Sequence, residues 1–290
     1  MEIKLLNPTE FAKHNLSLLH ETPEPPKQLY YQGTLPPDGL TLLAVVGSRD
    51  YTTYGKQVIE HLLAGLKGYP VGIVSGLALG IDGLAHTEAL RNDLYTLAVP
   101  GSGLAANVLY PASHRPLAAR ILEHGGGLLS ELGPTEPSAT WTFPKRNRII
   151  AGLCKATLII EAGEKSGTLI TARLTVDYNR ELLAVPGNIF SKNSYGTHQF
   201  LKLGAALITQ PEDILIALGI EPKETPPQIE AQVPLSAHEA LVITLLKEPQ
   251  ERDALLRQLP LPVSEASILL MNMEMQGYIS YESPHYRSHI

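Results

Sequence analysis

With one cysteine in 290 residues, Cys154, the chain has no internal disulfide, which fits a reducing compartment. No histidine lies near Cys154 in sequence to activate it, so it reads as a core residue at the end of an apolar helix rather than as a nucleophile. Charge is also sparse. Only 18% of the residues are Asp, Glu, Lys or Arg, with a formal net charge of −6, and an ordinary apolar content then describes a globular chain. No apolar run approaches the ~20 residues that span a bilayer. The N-terminus, Met1 to Pro8, lacks the basic head and apolar core of a signal peptide. The expectation is a cytoplasmic protein with no membrane partner.

Against this acidic background one stretch is basic. Thr140 to Arg180 carries seven of the 23 Lys and Arg residues (Lys145, Arg146, Arg148, Lys155, Lys165, Arg173, Arg180) and three acids, Glu161, Glu164 and Asp177. A positive island in a negative protein suits one bound polyanion better than general adhesion. Its centre runs from Phe143 to Ile150. Pro144 suits the first turn of a helix, which places Arg146, Asn147 and Arg148 in the opening turns, where free N–H groups favour an anion and Arg adds a planar fork for phosphate. After an apolar strand, Ala156 to Ile160, the small-residue loop Glu161 to Thr168 leads into a second helix, and such loops let backbone amides approach phosphates. The alternative, arginines that only solvate a helix face, ranks second because an aromatic sits just upstream.

From Leu40 onward short apolar runs end in glycine and alternate with helical segments, at Leu42 to Val46, Val71 to Val74, Leu97 to Val99, Leu128-Leu129, Leu158 to Ile160 and Leu182 to Val185. This pattern predicts an α/β fold, a mostly parallel, doubly wound sheet covered on both faces, with the glycines along its carboxyl edge, where open α/β sheets bind ligands. Residues 1–39 are proline-dotted and read as an extension packed on this domain, with a short helix around Glu10 to Leu19. The domain itself is placed at 40–220. Four prolines among polar residues mark a linker at 221–234. Residues 235–290 read as three helices, Ser236 to Leu246, Glu251 to Gln258 and Ser264 to Gln276, with a strand from Gly277 to Tyr281, the proportions of a winged helix. From Glu221 onward ten acids oppose five basic residues, and the second helix of the helix-turn-helix has no Lys or Arg. A duplex reader needs cations for phosphate contacts, so a protein-contact or structural role is expected for this domain.

Other chemistries find little support. Gly47-Ser48-Arg49-Asp50-Tyr51-Thr52 lacks the second and third glycines of G-x-G-x-x-G, and the second strand ends in Ser75-Gly76 where a ribose-binding acid belongs, so a dinucleotide oxidoreductase is not expected. Gly47, Ser48 and Arg49 instead offer a tight turn, a hydroxyl and a guanidinium suited to a phosphodiester, or an arginine paired with Asp50. Asp82 and His86 share a helix face, but an acid and one histidine make a weak metal signal, and a helix-start acid with a packed histidine is the better reading. Glu131, Glu161 and Glu164 are the acids nearest the island, and sequence pairs none of them.

Taken in order, Gly47 to Arg49, Ser75 to Asp82, Phe143 to Gly152, Glu161 to Gly163 with Ser166 to Arg173, and Ala184 to Gly187 resemble the signature blocks of the DNA-processing protein A family, also called DprA or Smf. The resemblance covers about residues 25 to 218. It implies an extended Rossmann-like domain that dimerises, binds single-stranded DNA without strong sequence preference and hands the strand to a RecA-type recombinase, as in natural transformation. It implies no catalytic residues, metal or cofactor. The residues it places at the DNA are Gly47, Ser48, Arg49, Phe143, Arg146, Asn147 and Arg148, with Ser166 and Gly167 on the neighbouring loop, and Ser75, Gly76 and Lys145 join them as candidate contacts. By analogy the dimer surface comes from the last strand and helix, with Leu207, Ile208, Ile214 and Leu215. Phe143 either stacks a base, worth ~1–3 kcal/mol, or packs as a staple before its helix. Asn179 stands where the family usually has glycine. An enzymatic alternative comes from phosphoribohydrolases of the same superfamily, whose loop reads Pro-Gly-Gly-x-Gly-Thr-x-x-Glu. Aligned on Gly167-Thr168, their catalytic glutamate position is Thr171, which leaves only Glu161 as a substitute.

Overall fold

The computed structural model describes residues 2–223, 235–282 and 285–288 and divides into two compact units, Met1–Pro222 and Lys223–Ile290. The linker expected at 221–234 lies, beyond Lys223, outside the described residues.

The first unit is a nine-stranded sheet. In chain order its elements are β1 (Lys4–Leu6), β2 (Leu29–Gly33), β3 (Thr41–Val46), α1 (Thr53–Ala64), β4 (Val71–Ser75), α2 (Ile81–Arg91), β5 (Tyr95–Ala98), α3 (Arg115–Glu123) and β6 (Gly127–Ser130). They continue through α4 (Thr142–Leu153), β7 (Ala156–Ile159), α5 (Thr168–Asp177), β8 (Glu181–Ala184), α6 (Tyr195–Lys202), β9 (Ala206–Leu207) and α7 (Pro211–Ala217). The spatial order is β1-β2-β6-β5-β4-β3-β7-β8-β9, parallel from β6 to β9, with β2 antiparallel to β6 and β1 antiparallel to β2.

The two-residue period of a strand separates two cores. Leu42, Ala44 and Val46 of β3 pack with Ile149, Ile150 and Leu153 of α4 on one face. Leu43 and Val45 pack with Ile59, Leu62 and Leu63 of α1 and Ile81 and Ala85 of α2 on the other. Every one of these side chains is at most 5% exposed, so each large aliphatic one contributes about 1.5–3 kcal/mol of burial. A sheet buried on both faces explains why its strands read as continuous apolar runs.

Two expectations need correction. The N-terminal segment does more than pack on the domain, because its strands extend the sheet, with Leu29 and Leu6 buried. The single helix expected around Glu10 to Leu19 is two 3₁₀ segments, Pro8–His14 and Ser17–Glu21. Asn15 breaks it by adopting a left-handed conformation (φ 56°), which helical dihedrals do not allow, and its side-chain amide donates to the Leu40 carbonyl at 2.7 Å.

The second unit holds α8 (Ala237–Leu245), β10 (Gln250–Glu251), α9 (Arg252–Gln258), α10 (Val263–Met275), β11 (Ile279–Glu282) and β12 (His285–Ser288). Its three antiparallel strands, in the order β10-β12-β11, and three helices enclose a separate core around Val242, Leu255, Leu270 and Met273. Ser236 caps α8 through the amide of Glu239, whose carboxylate returns to the Ser236 amide.

Candidate nucleic-acid interface

β4 lies on one side of β3 and β7 on the other, so the order of connection reverses between β3 and β7. The crevice outside the carboxyl ends at such a reversal is where α/β sheets take ligands. A cleft of about 560 Å³ opens there. Its walls come from Val46 to Asp50 after β3, Gly163 to Thr171 after β7, the start of α4 and Asn193 before α6.

Close packing builds the cleft floor. A Cβ on Gly47 would stand 2.6 Å from Ile81, so glycine lets the start of α2 press against the turn. Ser48 donates its N–H to the Glu161 carbonyl at 2.8 Å and its hydroxyl to the Asp50 carbonyl at 2.9 Å, which ties the β3 turn to the β7 loop. At Gly76 a Cβ would lie 2.2 Å from Arg146 Nη1 and 2.4 Å from Asp82 Oδ2.

The basic side chains fall into different classes. Arg49 forms no salt bridge or hydrogen bond among the described residues, and its guanidinium stands 5.5 Å from the centre of the Phe143 ring. The alternative pairing of Arg49 with Asp50 is absent. Lys165 is exposed, lines the same cleft and also has no ion-pair partner among the described residues. Arg146 lines the cleft but is only 7% exposed, and Nη1 donates to the carbonyls of Gly76 and Val99 at the ends of β4 and β5. Burial pushes its pKa down to about 10, opposed by the Asp82 carboxylate, so it stays a cation near neutral pH. Asp82 accepts the Gly76 N–H at 3.1 Å.

Lys145 and Arg148 stand elsewhere. Lys145 lies 3.3 Å from Glu131, and Arg148 bonds to Glu131 and, at 2.6 Å, to the Glu24 carbonyl. Neither lines the cleft. Three residues apart on α4, they share a face turned from the one carrying Phe143, Arg146, Asn147 and Ile150. Ser75 is also withdrawn, fully buried with its hydroxyl donating to the Val45 carbonyl at 2.6 Å. Asn147, Ser166 and Gly167 do line the cleft, and Ser166 accepts the Thr168 N–H at 3.2 Å.

Phe143 sits in the first turn of α4, inside the helix and not before it as a staple would. One side lies against Gly101, where a Cβ would come within 2.5 Å of the ring, and another lines the cleft beneath Arg49. Tyr110 stands 5.7 Å away at an interplanar angle of 57°. Sequence reading counted Lys165 in the basic island without assigning it to the site, and passed over Asn193, whose signal was only its place in an acid-free stretch.

Two of the acids near the basic stretch, Glu161 and Glu131, are held in structural contacts. Glu161 is 4% exposed and holds the N-terminus of α1, accepting the Thr52 N–H at 2.9 Å and the Thr52 hydroxyl at 2.6 Å. Glu131 is engaged by Arg148 and Lys145. His86 is fully buried, with Nδ1 2.7 Å from the Thr96 hydroxyl, and burial pushes its pKa down to about 3, so it is a neutral packed side chain. No cluster of three or more potential metal-ligating residues occurs among the described residues. None of the described helices is long and apolar enough to cross a membrane.

The expected dimer residues divide. Ile208, Ile214 and Leu215 are at most 1% exposed in the α1 face core and cannot form a surface. α7 seats against the end of α1, where a Cβ on Gly65 would meet Pro211 at 2.2 Å. Leu207, 54% exposed, remains on the surface.

Residues 8–219 match the family model described as DNA recombination-mediator protein A, and residues 210–282 match the DprA winged helix domain. The chain is 38% identical to the protein Smf of Escherichia coli over 269 residues, which cover 89% of this chain and 71% of that one. It is 40% identical over 200 residues to the DNA processing protein DprA of Streptococcus pneumoniae, covering 68% of each. The solved structure of the S. pneumoniae protein superposes with a TM-score of 0.68 at 36% identity over 74% of each chain. DNA processing protein A from Helicobacter pylori, whose structure addresses its single-stranded DNA binding mode, gives a TM-score of 0.64 at 27% identity over 75% of this chain and 96% of that one.

Proposed function

The chain belongs to the DNA recombination-mediator protein A family, and on that premise we propose that the cleft between β3 and β7 binds single-stranded DNA. The observation that carries this reading is that two cations with no ion-pair partner among the described residues, Arg49 and Lys165, line one cleft together with the Phe143 ring. Phosphates lie between the two cations and the amides of the Gly47 and Gly167 turns, while a base stacks on the cleft-facing side of Phe143, in the place Arg49 holds over the ring. Arg146 holds the floor and adds positive potential from within. Lys145 and Arg148 shape α4 rather than touch the strand. Readout by phosphates and one ring is tolerant of sequence, which suits a protein that accepts any incoming strand.

The biological role that fits is recombination mediation in the cytoplasm: the protein covers incoming single strands, as in natural transformation, and passes them to a RecA-type recombinase. A homodimer presents two clefts to one strand. Its contact surface is the free edge formed by β9 and α7, where Leu207 and Ile216 are 54% and 66% exposed.

The test is fluorescence anisotropy of a labelled oligo-dT strand over a salt series, with wild-type protein and an Arg49→Ala/Lys165→Ala variant. The expected result is binding that weakens steeply with salt, and in the variant a slope of log K against log[salt] reduced by about 1.4, two phosphate contacts at roughly 0.7 each. A wild-type protein that binds no strand at low salt would overturn the reading.

A further inference from the structure

The loop after β8 differs from the rest of the surface in two ways. From Leu182 to Pro211 the chain contains no aspartate or glutamate, although the protein holds 29 acids and a net charge of −6, and this stretch carries Lys192 and Lys202. Within it Ile189 is 78% exposed and Phe190 89%, the largest exposure of any large apolar side chain among the described residues.

The exposure is built. Asn188 Oδ1 accepts the Phe190 N–H at 2.8 Å, and the Asn188 carbonyl accepts the Ser191 N–H at 3.0 Å, so the turn holds the ring outward. Asn193 then ties the loop to the cleft. Its carbonyl accepts the Ala162 N–H at 2.7 Å, and its side-chain amide donates to the Asp50 carbonyl at 2.7 Å. Asn193 is part of the cleft wall, and its neighbour Lys192 lines a second, shallow depression of about 700 Å³ shared with Phe190, Tyr195 and Lys202. The cleft and the depression are thus lined by consecutive residues, Asn193 and Lys192.

We propose that this depression continues the DNA path: a strand leaving the cleft passes Asn193, sets a phosphate against Lys192 and stacks a base on Phe190. An aromatic platform with lysines and no carboxylates is the surface that tracks a nucleic-acid backbone, and its attachment to the cleft selects a strand already held there over an unrelated partner. The proposal rests on the reading of the cleft as a single-strand site.

Two oligo-dT lengths separate the two readings, about 5 and about 16 nucleotides, near the limits of single-strand site sizes. Each is titrated into the full chain and into Phe190→Ala and Lys192→Ala. The short strand fills only the cleft and binds all three proteins alike. For the long strand, Phe190→Ala lowers affinity about five- to 150-fold, the loss expected for one stacked base. Lys192→Ala reduces the salt slope by about 0.7. Because Phe190 touches solvent over most of its surface, melting temperatures stay unchanged. Equal long-strand affinity in wild type and Phe190→Ala overturns the extension and leaves the cleft reading standing. A Phe190→Ala loss equal for both lengths also overturns it, since the ring then acts on the cleft itself. Failure of wild type to bind either length overturns both readings.

Discussion

Arg146 shows how one residue can belong to a binding site without being free to bind. Its guanidinium joins the ends of β4 and β5 and lies beside Asp82, which makes it part of the sheet's edge. Removing it leaves two strand-end carbonyls without that donor and takes a nearby positive charge from the buried Asp82. Arg146→Ala is therefore expected to cost about 1–3 kcal/mol of stability for each buried carbonyl left unpaired. Denaturant titration checks this, and unchanged stability would show that the arginine is dispensable to the fold. Arg49→Ala should leave the same titration unaltered. Sequence reading grouped Arg49, Arg146 and Arg148 as equivalent phosphate contacts because charge is visible in a string of letters and burial is not. What separates them is the partner each finds: an open ring for Arg49, strand-end carbonyls for Arg146, and Glu131 for Arg148.

Among the elements, α4 and the β9 edge carry the lessons. The helix was readable from Pro144 and the apolar run after Arg148. The face each of its residues would present was not, since that depends on which of its sides meets the sheet, and Lys145 and Arg148 turn to Glu131 as a result. The strands β3 to β8 were legible as apolar runs ending in glycine. β2 was not, because Leu29 to Gly33 sits among prolines and joins the sheet only through the distant β6. At the other edge, Ile208, Ile214 and Leu215 were expected at an interface by analogy with the family, yet here they fill a core. The corrected edge makes its own prediction. Leu207→Arg with Ile216→Glu is expected to give folded monomers in sedimentation, whereas Ile214→Glu, which buries a charge, is expected to unfold the domain. Dimers that persist in the double variant would place the contact elsewhere.

For the whole molecule, the charge of the two units decides their roles. From Glu221 onward ten acids face five basic residues, and the unit keeps its own core. A chain ending at residue 222 is expected to fold and to keep the full protein's oligo-dT isotherm, and a collapse in affinity would give the winged helix a direct part in holding DNA. The alternation of strand and helix made the architecture legible, and the family's ordered motifs led to the cleft. The Phe190 platform escaped both readings, because its meaning lies in exposure and in its attachment through Asn193. The cleft has a further property that follows from its walls, which come from segments as far apart as Val46 and Asn193. Such a site exists only while the entire sheet is assembled, so every molecule that binds there is withdrawn from the unfolding equilibrium. At a hundred times its dissociation constant a bound strand adds about 2.7 kcal/mol to the fold. With a strand bound in the cleft, the protein is then expected to be a poorer substrate for proteases than the same protein without one.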